Sequence, residues 1–334
     1  MNDFCKVVSD KLTKISLTSV AGFRCCKSAR LLSILLFILL ILPQPGLSPA
    51  LWAESKLNVT ENLRTTQSIK SLWQQKRAKR YNAYSSKQLQ LAESVFEQLL
   101  LNRLTEKILK QLRSLNLSLT KVDNYFLISE ALPPYAGQGL YVIRVKGGGD
   151  ILLQAPHSFH DLKTGNIAIK MMRENSIRAL AINTVSRRYT TSEGRKYNAD
   201  MAHLAESLFV AISRAFANVY SDGKIVQLHG FNAAKRAQKR QREPRLEIII
   251  SNGTRAVSQR LILQKACLDK VFSIHSHVYP LDINELGGTT NSIGRAVRQM
   301  GFSYFEHIEM SLPVRQKLNR SEEMRRGLFE CISK

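Results

Sequence analysis

Apolar positions in the second half of the chain alternate between short strand-like runs and longer helical periods. We predict strands over Tyr125–Ile128, Leu140–Val145, Ile151–Ala155, Arg178–Ile182, Ile225–Leu228, Leu246–Ile250, Val271–Ile274 and Tyr304–Met310. Helices are predicted over Gly165–Arg173, Ala199–Val219, Arg255–Leu268 and Ser292–Met300, with a last helix after Asn319. Strands separated by helices at this spacing predict an α/β fold, with a mixed, mostly parallel central sheet flanked by helices.

The first half of the chain has a different pattern. Between Lys87 and Leu115, leucines and other apolar residues recur at steps of three and four, which predicts one long or two short amphipathic helices that pack on the main domain. We therefore divide the chain into an N-terminal hydrophobic segment (1–53), a basic linker (54–85), an amphipathic helical region (86–120) and an α/β domain (121–334).

The N-terminal segment carries a targeting signal by its composition. Leu31–Pro43 is continuously apolar and follows basic residues, but it is only about 13 residues long, whereas a spanning helix needs about 20. Prolines and small residues follow it, as in a signal-peptidase region, although no charge interrupts Leu31–Ala53. A cleaved signal peptide and an uncleaved anchor both remain open. Either predicts a periplasmic or extracytoplasmic protein, secreted or tethered to the cytoplasmic membrane. Cys267 and Cys331 are the cysteines beyond this segment, and the sequence leaves open whether they pair.

The net charge of the chain is +23, and most of it lies beyond residue 53. Such a surface attracts polyanions, among them anionic membranes and acidic cell-wall polymers, or it serves only solubility. The densest basic run, AAKRAQKRQR (233–242), lies between two predicted strands and is typical of a solvated loop. We therefore do not expect nucleic acid as a partner.

Polar side chains follow several predicted strands at the point where each strand ends. His157, His160 and Asp161 come after Ile151–Ala155, and His229 comes after Ile225–Leu228. The other strand ends carry Asn183, followed by Arg187 and Arg188, and Glu309. Because ligands of α/β sheets gather at the carboxyl ends of the strands, we expect these groups to share one site.

The residue types at these strand ends indicate a zinc site. Two ligands three residues apart, with a third on a distant strand, leave zinc a position for water, which predicts His157, His160 and His229 as ligands. Asp161 is an alternative ligand, or orients a ligand's second ring nitrogen. Metal-activated water needs a carboxylate that takes its proton, and Glu309 is the best placed acid.

Further polar residues are candidates for contacts with a substrate. Arg187 or Arg188 fits a substrate carboxylate, because a guanidinium pairs with both carboxylate oxygens. Asp200 and His203 are possible substrate-binding or ligand-orienting groups. His275 and His277 form another pair on one face of a strand, but no third partner follows from the sequence.

Six motifs together resemble the zinc-carboxypeptidase-like superfamily, in particular its N-formylglutamate amidohydrolase and poly-γ-glutamate hydrolase branches. The motifs are LLQAPHSFHDLKTG, AINTVSRRY, ADMAH, VQLHGF, LGGTTNSIGRAVRQMG and HIEMSLPVR, and the resemblance covers about Leu140 to Leu318. The resemblance implies a mixed sheet flanked by helices, one catalytic zinc, and hydrolysis of amide bonds, often next to a free carboxylate.

Residue by residue, the resemblance makes His157 the first zinc ligand, His229 the last, and Glu309 the catalytic glutamate. His160 stands where the superfamily usually has a glutamate ligand, which gives a more positive site. Asn291 and Arg187 or Arg188 are then substrate-positioning groups.

Two functions of different classes follow from these observations. The first is an exported zinc-dependent hydrolase that cleaves an amide or peptide bond next to a carboxylate, in an anionic, peptide-like substrate. The alternative is a non-catalytic binding protein of the same fold that holds an anionic cell-wall or lipid polymer. A metal content of about one zinc per chain, together with chelator-sensitive amidase activity, would favour the hydrolase. The absence of metal would favour the binding protein.

Overall fold

A nine-stranded sheet forms the centre of the described chain. The computed structural model describes residues 64–190, 196–235 and 247–334, all within the unit Val59–Lys334. The strands of the sheet are β1 (Leu117–Val122), β2 (Tyr125–Glu130), β3 (Leu140–Arg144), β4 (Ile151–Ala155), β5 (Ala179–Ile182), β8 (Lys224–Phe231), β9 (Ile248–Ser251), β10 (His277–Val278) and β11 (Phe305–Ser311). They lie in the order β1-β2-β3-β5-β4-β8-β11-β9-β10. A separate pair consists of β6 (Arg188–Thr190) and β7 (Lys196–Asn198).

The four central strands, β5, β4, β8 and β11, run parallel to one another. The sheet becomes antiparallel on both sides, where β3 pairs with β5 and β9 pairs with β11. Every residue of β4 is buried, and successive side chains face opposite cores, with Leu152 in one and Leu153 in the other. This architecture confirms the predicted α/β fold with a mixed sheet, and its parallel part is the centre that carries β4, β8 and β11.

Helices cover both faces of the sheet. One core is formed by α2 (Ser86–Leu100), α3 (Glu106–Ser114), α5 (Leu208–Val219) and α7 (Ser292–Gln299). The other is formed by α1 (64–75), α4 (Thr164–Glu174), α6 (Gln259–Phe272), α8 (Leu312–Arg320) and α9 (Glu322–Ser333). The predicted helical region 86–120 therefore contains two short helices that pack on the sheet, and β1 begins within it at Leu117.

Residues 64–85, from the segment predicted as a basic linker, pack against the domain. Ile69 of α1 is fully buried, and the indole Nε1 of Trp73 donates a hydrogen bond to the carbonyl oxygen of Asn183 at 2.8 Å. Ala78 then forms a β-bridge with Val185. This stretch therefore supports the chain just beyond the end of β5.

Two predicted elements differ from the structure. The predicted helix Ala199–Val219 begins only at Leu208, because Ser207 caps α5 and the backbone after Asp200 folds into a turn. The predicted strand Val271–Ile274 is wrong. Val271 and Phe272 belong to the last turn of α6, whose buried residues include Leu268 and Phe272, and Ile274 follows the left-handed Ser273 that ends the helix.

A disulfide between Cys267 and Cys331 joins α6 to α9 across a sequence separation of 64 residues. The sequence alone left this pairing open. It closes a long loop around the C-terminal helices, and it lies outside the histidine clusters described below.

The location predicted from the N-terminal segment is corrected. Within residues 64–190, 196–235 and 247–334, no helix is long and apolar enough to cross a membrane, so we withdraw the tethering and the extracytoplasmic location that was expected from it. Residues 1–53, on which the prediction of a signal peptide or anchor falls, lie outside the described residues.

Candidate metal centre

Three neighbouring parallel strands bring the predicted site residues to one edge of the sheet. β4 continues into the turn that carries His157 and Asp161, while β8 contains His229. β11 lies next to β8 in a register that places Glu309 directly beside His229. The polar residues that follow these strands in the sequence are therefore neighbours in space, as expected at the carboxyl ends of parallel strands.

Asp161 lies between two histidines. The backbone after β4 forms a tight turn, in which the amides of His160 and Asp161 both donate to the carbonyl oxygen of His157. As a result, Asp161 Oδ2 lies 3.5 Å from Nδ1 of His157 and 3.4 Å from Nδ1 of His229. All three side chains are buried, and the two rings lie edge to face at 4.9 Å between centroids.

The second nitrogen of each ring has an oxygen acceptor. Nε2 of His157 donates to Oδ1 of Asp200 at 2.6 Å, and Nε2 of His229 donates to Oε1 of Gln227 at 3.1 Å. A proton fixed on Nε2 leaves the Nδ1 lone pair available, and metal-binding histidines are oriented in this way by an acceptor on their outer nitrogen. Both Nδ1 atoms therefore face Asp161 as potential ligands.

The distances between these donor atoms fit a zinc site. Zinc–ligand bonds of about 2.0–2.1 Å in tetrahedral geometry place neighbouring donors about 3.3–3.4 Å apart. The separations of 3.4 Å and 3.5 Å around Asp161 agree with that spacing and exceed the usual hydrogen-bond length of about 2.7–3.2 Å. The residues present therefore fit a divalent metal held by two imidazoles and one carboxylate.

The ionisation states of Asp161 and His229 also suit metal binding. Burial raises the pKa of Asp161, but the interactions with His157 and His229 outweigh burial and hold the pKa well below its usual range. Burial, together with the neighbouring His307, lowers the pKa of His229 to about 4. At neutral pH the centre thus offers a carboxylate and a neutral imidazole, the forms in which these groups bind metals.

The pKa of His157 changes in the opposite direction to that of His229. Burial lowers its pKa, but the carboxylates of Asp161 and Asp200 outweigh burial and raise it. A bound divalent cation competes with this proton, because both occupy the space between His157 and the carboxylates.

Asp200 connects the centre to two further polar residues. Its Oδ1 also accepts from Nδ1 of His203 at 2.9 Å, and its Oδ2 lies 2.5 Å from Nε of Arg187. Burial raises the pKa of Asp200, while hydrogen bonds from His157 and His203, together with the charge of Arg187, lower it well below its usual range. The negative charge of Asp200 is therefore permanent at neutral pH.

Glu309 and His307 form the wall beside His229. Nε2 of His307 lies 3.3 Å from Oε1 of Glu309, and the His307 ring stacks on that of His229 at 4.2 Å between centroids. Oε2 of Glu309 and Nδ1 of His307 are buried, and neither has a hydrogen-bond partner in the described part of the chain. A buried carboxylate oxygen without a partner is costly unless water or a substrate binds it.

A cleft of about 870 Å³ opens over these residues. Its wall includes the metal-centre residues, the segment Leu286–Asn291, and three groups that carry or can carry positive charge, Arg187, His203 and Lys235. The loop before α7 closely approaches the wall, since a Cβ on Gly288, whose φ is +61°, would lie 2.8 Å from the ring of His307. The cleft is large enough for a small peptide or an acylated amino acid.

The other residues predicted for the site take separate places. Three donor clusters, groups of side chains close enough to share a metal ion, occur among the described residues: His157, Asp161 and His229; His157, Asp200 and His203; and His229, His307 and Glu309. His160 is exposed and belongs to none of them. Arg188 is exposed at the start of β6. Asn183 is buried under the turn after β4, where its Oδ1 accepts from the amide of Ser158 at 2.8 Å. His275 and His277 also lie outside the donor clusters.

Asn291 is linked to the centre through a chain of buried amides. It caps α7 and donates from Nδ2 to Oε1 of Gln227 at 2.6 Å. Nε2 of Gln227 donates in turn to Oε1 of Gln154 at 2.7 Å. Nε2 of Gln154 then donates to Oγ of Ser213 at 2.8 Å. Sequence reasoning missed Gln227, although its position two residues before His229 on the same strand face was a usable signal.

Comparisons with known proteins return several similar solved structures. An N-formylglutamate amidohydrolase from Ralstonia eutropha has a TM-score of 0.37 and 10% identity, covering 59% of this chain and 96% of that chain. A metallo-carboxypeptidase from Burkholderia cenocepacia has a TM-score of 0.34 and 10% identity, with 76% and 70% covered. An aspartoacylase family protein from Mesorhizobium loti has a TM-score of 0.35 and 15% identity, with 61% and 69% covered.

N-formylglutamate amidohydrolases and carboxypeptidases are also the enzymes that the sequence motifs resemble. With TM-scores this low, the likenesses transfer neither an activity nor a substrate to this chain. No protein-family model matches the sequence, and a search of curated proteins finds no significant match.

Proposed function

We propose that this chain is a zinc-dependent hydrolase of amide or peptide bonds. Nδ1 of His157, Oδ2 of Asp161 and Nδ1 of His229 would hold the metal. The observation that carries the proposal is the position of Asp161 between the two Nδ1 atoms, at 3.5 Å and 3.4 Å, while both outer nitrogens are occupied by oxygen acceptors. A metal bound there supplies Lewis acidity, which lowers the pKa of water and polarises a substrate carbonyl.

Glu309 is the proposed general base. It lies beside His229 in the sheet register, lines the cleft, and has one carboxylate oxygen without a partner in the described chain. A carboxylate so placed accepts a proton from the attacking water and passes it to the leaving amine, which turns a poor leaving group into a good one. His307 contacts the other oxygen of Glu309 and so restricts the orientation of the carboxylate.

The substrate is proposed to carry a carboxylate. Arg187 lies in the cleft wall with about a third of its side chain exposed (31%), and Lys235 adds a second positive charge to the same cleft. A guanidinium pairs with a carboxylate through two parallel hydrogen bonds, which orients the substrate as well as attracting it. Oδ2 of Asp200 forms an ion pair with Nε of Arg187.

Activity assays on acylated amino acids and short peptides test the proposal. In zinc-loaded protein, Glu309→Gln is expected to keep the metal and to lose at least about a hundredfold in kcat, the range of general base catalysis. The matched control is His275→Ala, an exposed residue outside the donor clusters, which should leave kcat unchanged. No hydrolysis of any amide by wild-type protein with bound zinc would refute the enzymatic role.

The arginine pair gives a test of the substrate class. Arg187→Met should raise KM chiefly for carboxylate-bearing substrates, whereas Arg188→Met should not, because Arg188 is exposed and is not part of the cleft wall. An equal effect of Arg187→Met on amides without a carboxylate would exclude the proposed clamp.

A further inference from the structure

A buried arginine behind the metal centre has no part in the proposed reaction. Arg315 lies on α8 and is only 5% exposed. Each of its guanidinium nitrogens donates to a main-chain carbonyl oxygen: Nε to Met310 at 3.1 Å, Nη1 to Leu162 at 2.7 Å, and Nη2 to Phe231 at 3.2 Å.

These three acceptors lie on the three segments that carry the site. Leu162 follows Asp161, Phe231 comes two residues after His229, and Met310 follows Glu309. The segments are far apart along the chain, since Leu162 and Phe231 lie 153 and 84 residues before Arg315. One side chain therefore joins the turn after β4 to the ends of β8 and β11.

We propose that Arg315 is a positioning residue, which holds these three strand ends at fixed separations and thereby sets the distances between Asp161, His229 and Glu309. The inference rests on the proposed function, because it takes Asp161 and His229 as metal ligands. It goes beyond that function in assigning the geometry of the centre to a residue that touches neither metal nor substrate.

The turn that carries Asp161 needs such a restraint. The side chain of Leu162 is 55% exposed, so apolar packing does little to fix this part of the turn. β8 and β11 are held by sheet hydrogen bonds, but the turn lies beyond the end of β4 and outside the sheet ladder. The bond from Nη1 of Arg315 to the carbonyl of Leu162 therefore fixes the turn relative to β8 and β11.

The choice of arginine, and of the glycine beside it, follows from this geometry. A guanidinium has five N–H donors in a rigid plane and can serve acceptors in three directions, whereas an ammonium is a flexible point charge with three donors. Gly230, next to His229, leaves room for this group, because a Cβ there would overlap the guanidinium of Arg315. The observed position of the guanidinium therefore requires a glycine at residue 230.

Nearby carboxylates stabilise the positive charge of the buried guanidinium. Burial lowers the pKa of Arg315, and the charges of Asp161 and Glu309 oppose that decrease. Both acids are members of the centre that Arg315 is proposed to hold, so the attraction also favours the assembled arrangement.

Arg144 provides a matched control at the other edge of the sheet. It also donates to three main-chain carbonyl oxygens, but all three lie in one stretch of the chain, at Ile177 at 3.0 Å, Asn175 at 2.8 Å and Met172. These carbonyls lie at the end of α4 and before β5, remote from the strand ends that carry the centre. Arg144→Met thus removes a comparable set of bonds without touching the site.

The experiment compares full-length wild type, Arg315→Met, Arg315→Lys and Arg144→Met by two measurements. The first is zinc affinity, by competition with a chromophoric chelator. The second is hydrogen–deuterium exchange of the metal-free proteins. Arg315→Met should weaken zinc binding by about 10- to 100-fold, as for other residues that support metal ligands from behind, and should raise exchange in 160–163, 230–232 and 310–312 together. Arg315→Lys should retain part of both properties, and Arg144→Met should leave both at wild-type values.

Unchanged zinc affinity in Arg315→Met would overturn the inference. So would an equal loss in Arg144→Met, because the effect would then reflect general stability. If wild-type protein binds no zinc, the proposed function fails, and exchange alone decides the inference: faster exchange confined to one of the three segments, or to none, refutes it. If Arg315→Met does not fold, the same two measurements on Arg315→Lys decide the outcome.

Discussion

Glu306 gives a quantitative test of the electrostatics of the fold, independent of any metal. It lies at the start of β11, and burial raises its pKa from 4.5 to about 7, although a hydrogen bond from Gln264 partly opposes the increase. In the unfolded chain the carboxyl titrates near its ordinary value of about 4.3. The folded state therefore retains a proton that the unfolded state loses as the pH rises between these two values.

The sign and size of the effect follow from this difference. Below the unfolded pKa both states are protonated, and Glu306 does not affect the free energy of unfolding. As the pH rises from the unfolded to the folded pKa, stability is lost, because only the unfolded chain can release the proton, and the loss is complete above the folded pKa. At 1.36 kcal/mol per pKa unit, the difference between about 4.3 and about 7 gives a limiting loss of about 4 kcal/mol above pH 7.

Glu306→Gln removes the titration and keeps the shape of the side chain. Its amide can also donate to Oε1 of Gln264, a buried atom without a partner in the described chain. In urea unfolding at several pH values, the variant should match wild type at pH 4.5 within about 1 kcal/mol and exceed it by about 4 kcal/mol at pH 8. Glu330→Gln, at an exposed glutamate of α9, is the control and should show no such trend. A stability difference between Glu306→Gln and wild type that does not change with pH would refute the reasoning.

Three further predictions concern the metal and the disulfide. Asp200→Asn should weaken zinc binding by about 10- to 100-fold, because the acceptor for Nε2 of His157 loses its charge; an isothermal titration showing wild-type affinity would contradict this. Zinc at a thousandfold excess over its Kd should raise the free energy of unfolding by about 4 kcal/mol, and a chelator should abolish the gain in a thermal melt; a melt insensitive to zinc would exclude binding to the folded state. Replacing Cys267 and Cys331 by serine should cost at most about 4 kcal/mol of stability from loop entropy while leaving zinc affinity unchanged, since the bridge lies outside the donor clusters.

The position of the candidate site could be predicted from the sequence. Apolar runs that end in histidine or glutamate mark the carboxyl ends of strands, and parallel neighbours bring those ends together. His157, His229 and Glu309 were placed at one edge on this basis, and the register that sets Glu309 beside His229 is the structural counterpart of that argument.

The choice between His160 and Asp161 lay beyond the sequence. Both follow His157 closely, and the shape of the turn decides which of the two side chains lies beside the His157 ring. In this turn the amides of both residues donate to the carbonyl oxygen of His157. That turn is followed by Lys163 in a left-handed conformation with φ of 80°, and its path also depends on Arg315, which is 153 residues away from Leu162. Long-range restraints of this kind leave no local pattern.

Helix boundaries failed for a related reason. Residues 199–219 contain enough apolar positions for one continuous helix, but Asp200 is turned toward His157, His203 and Arg187, and α5 begins only at its own cap, Ser207. The contacts of Asp200 in the site therefore outweigh the helical periodicity of the sequence around it.

The zinc content of three purified proteins tests the central claim most directly: wild type, Asp161→Ala and His160→Ala, each dialysed against dilute zinc and analysed for bound metal. The geometry around Asp161 predicts about one zinc per chain in wild type and in His160→Ala, and little or none in Asp161→Ala. Full zinc content in Asp161→Ala, loss of zinc in His160→Ala, or absence of zinc from wild type would contradict the account.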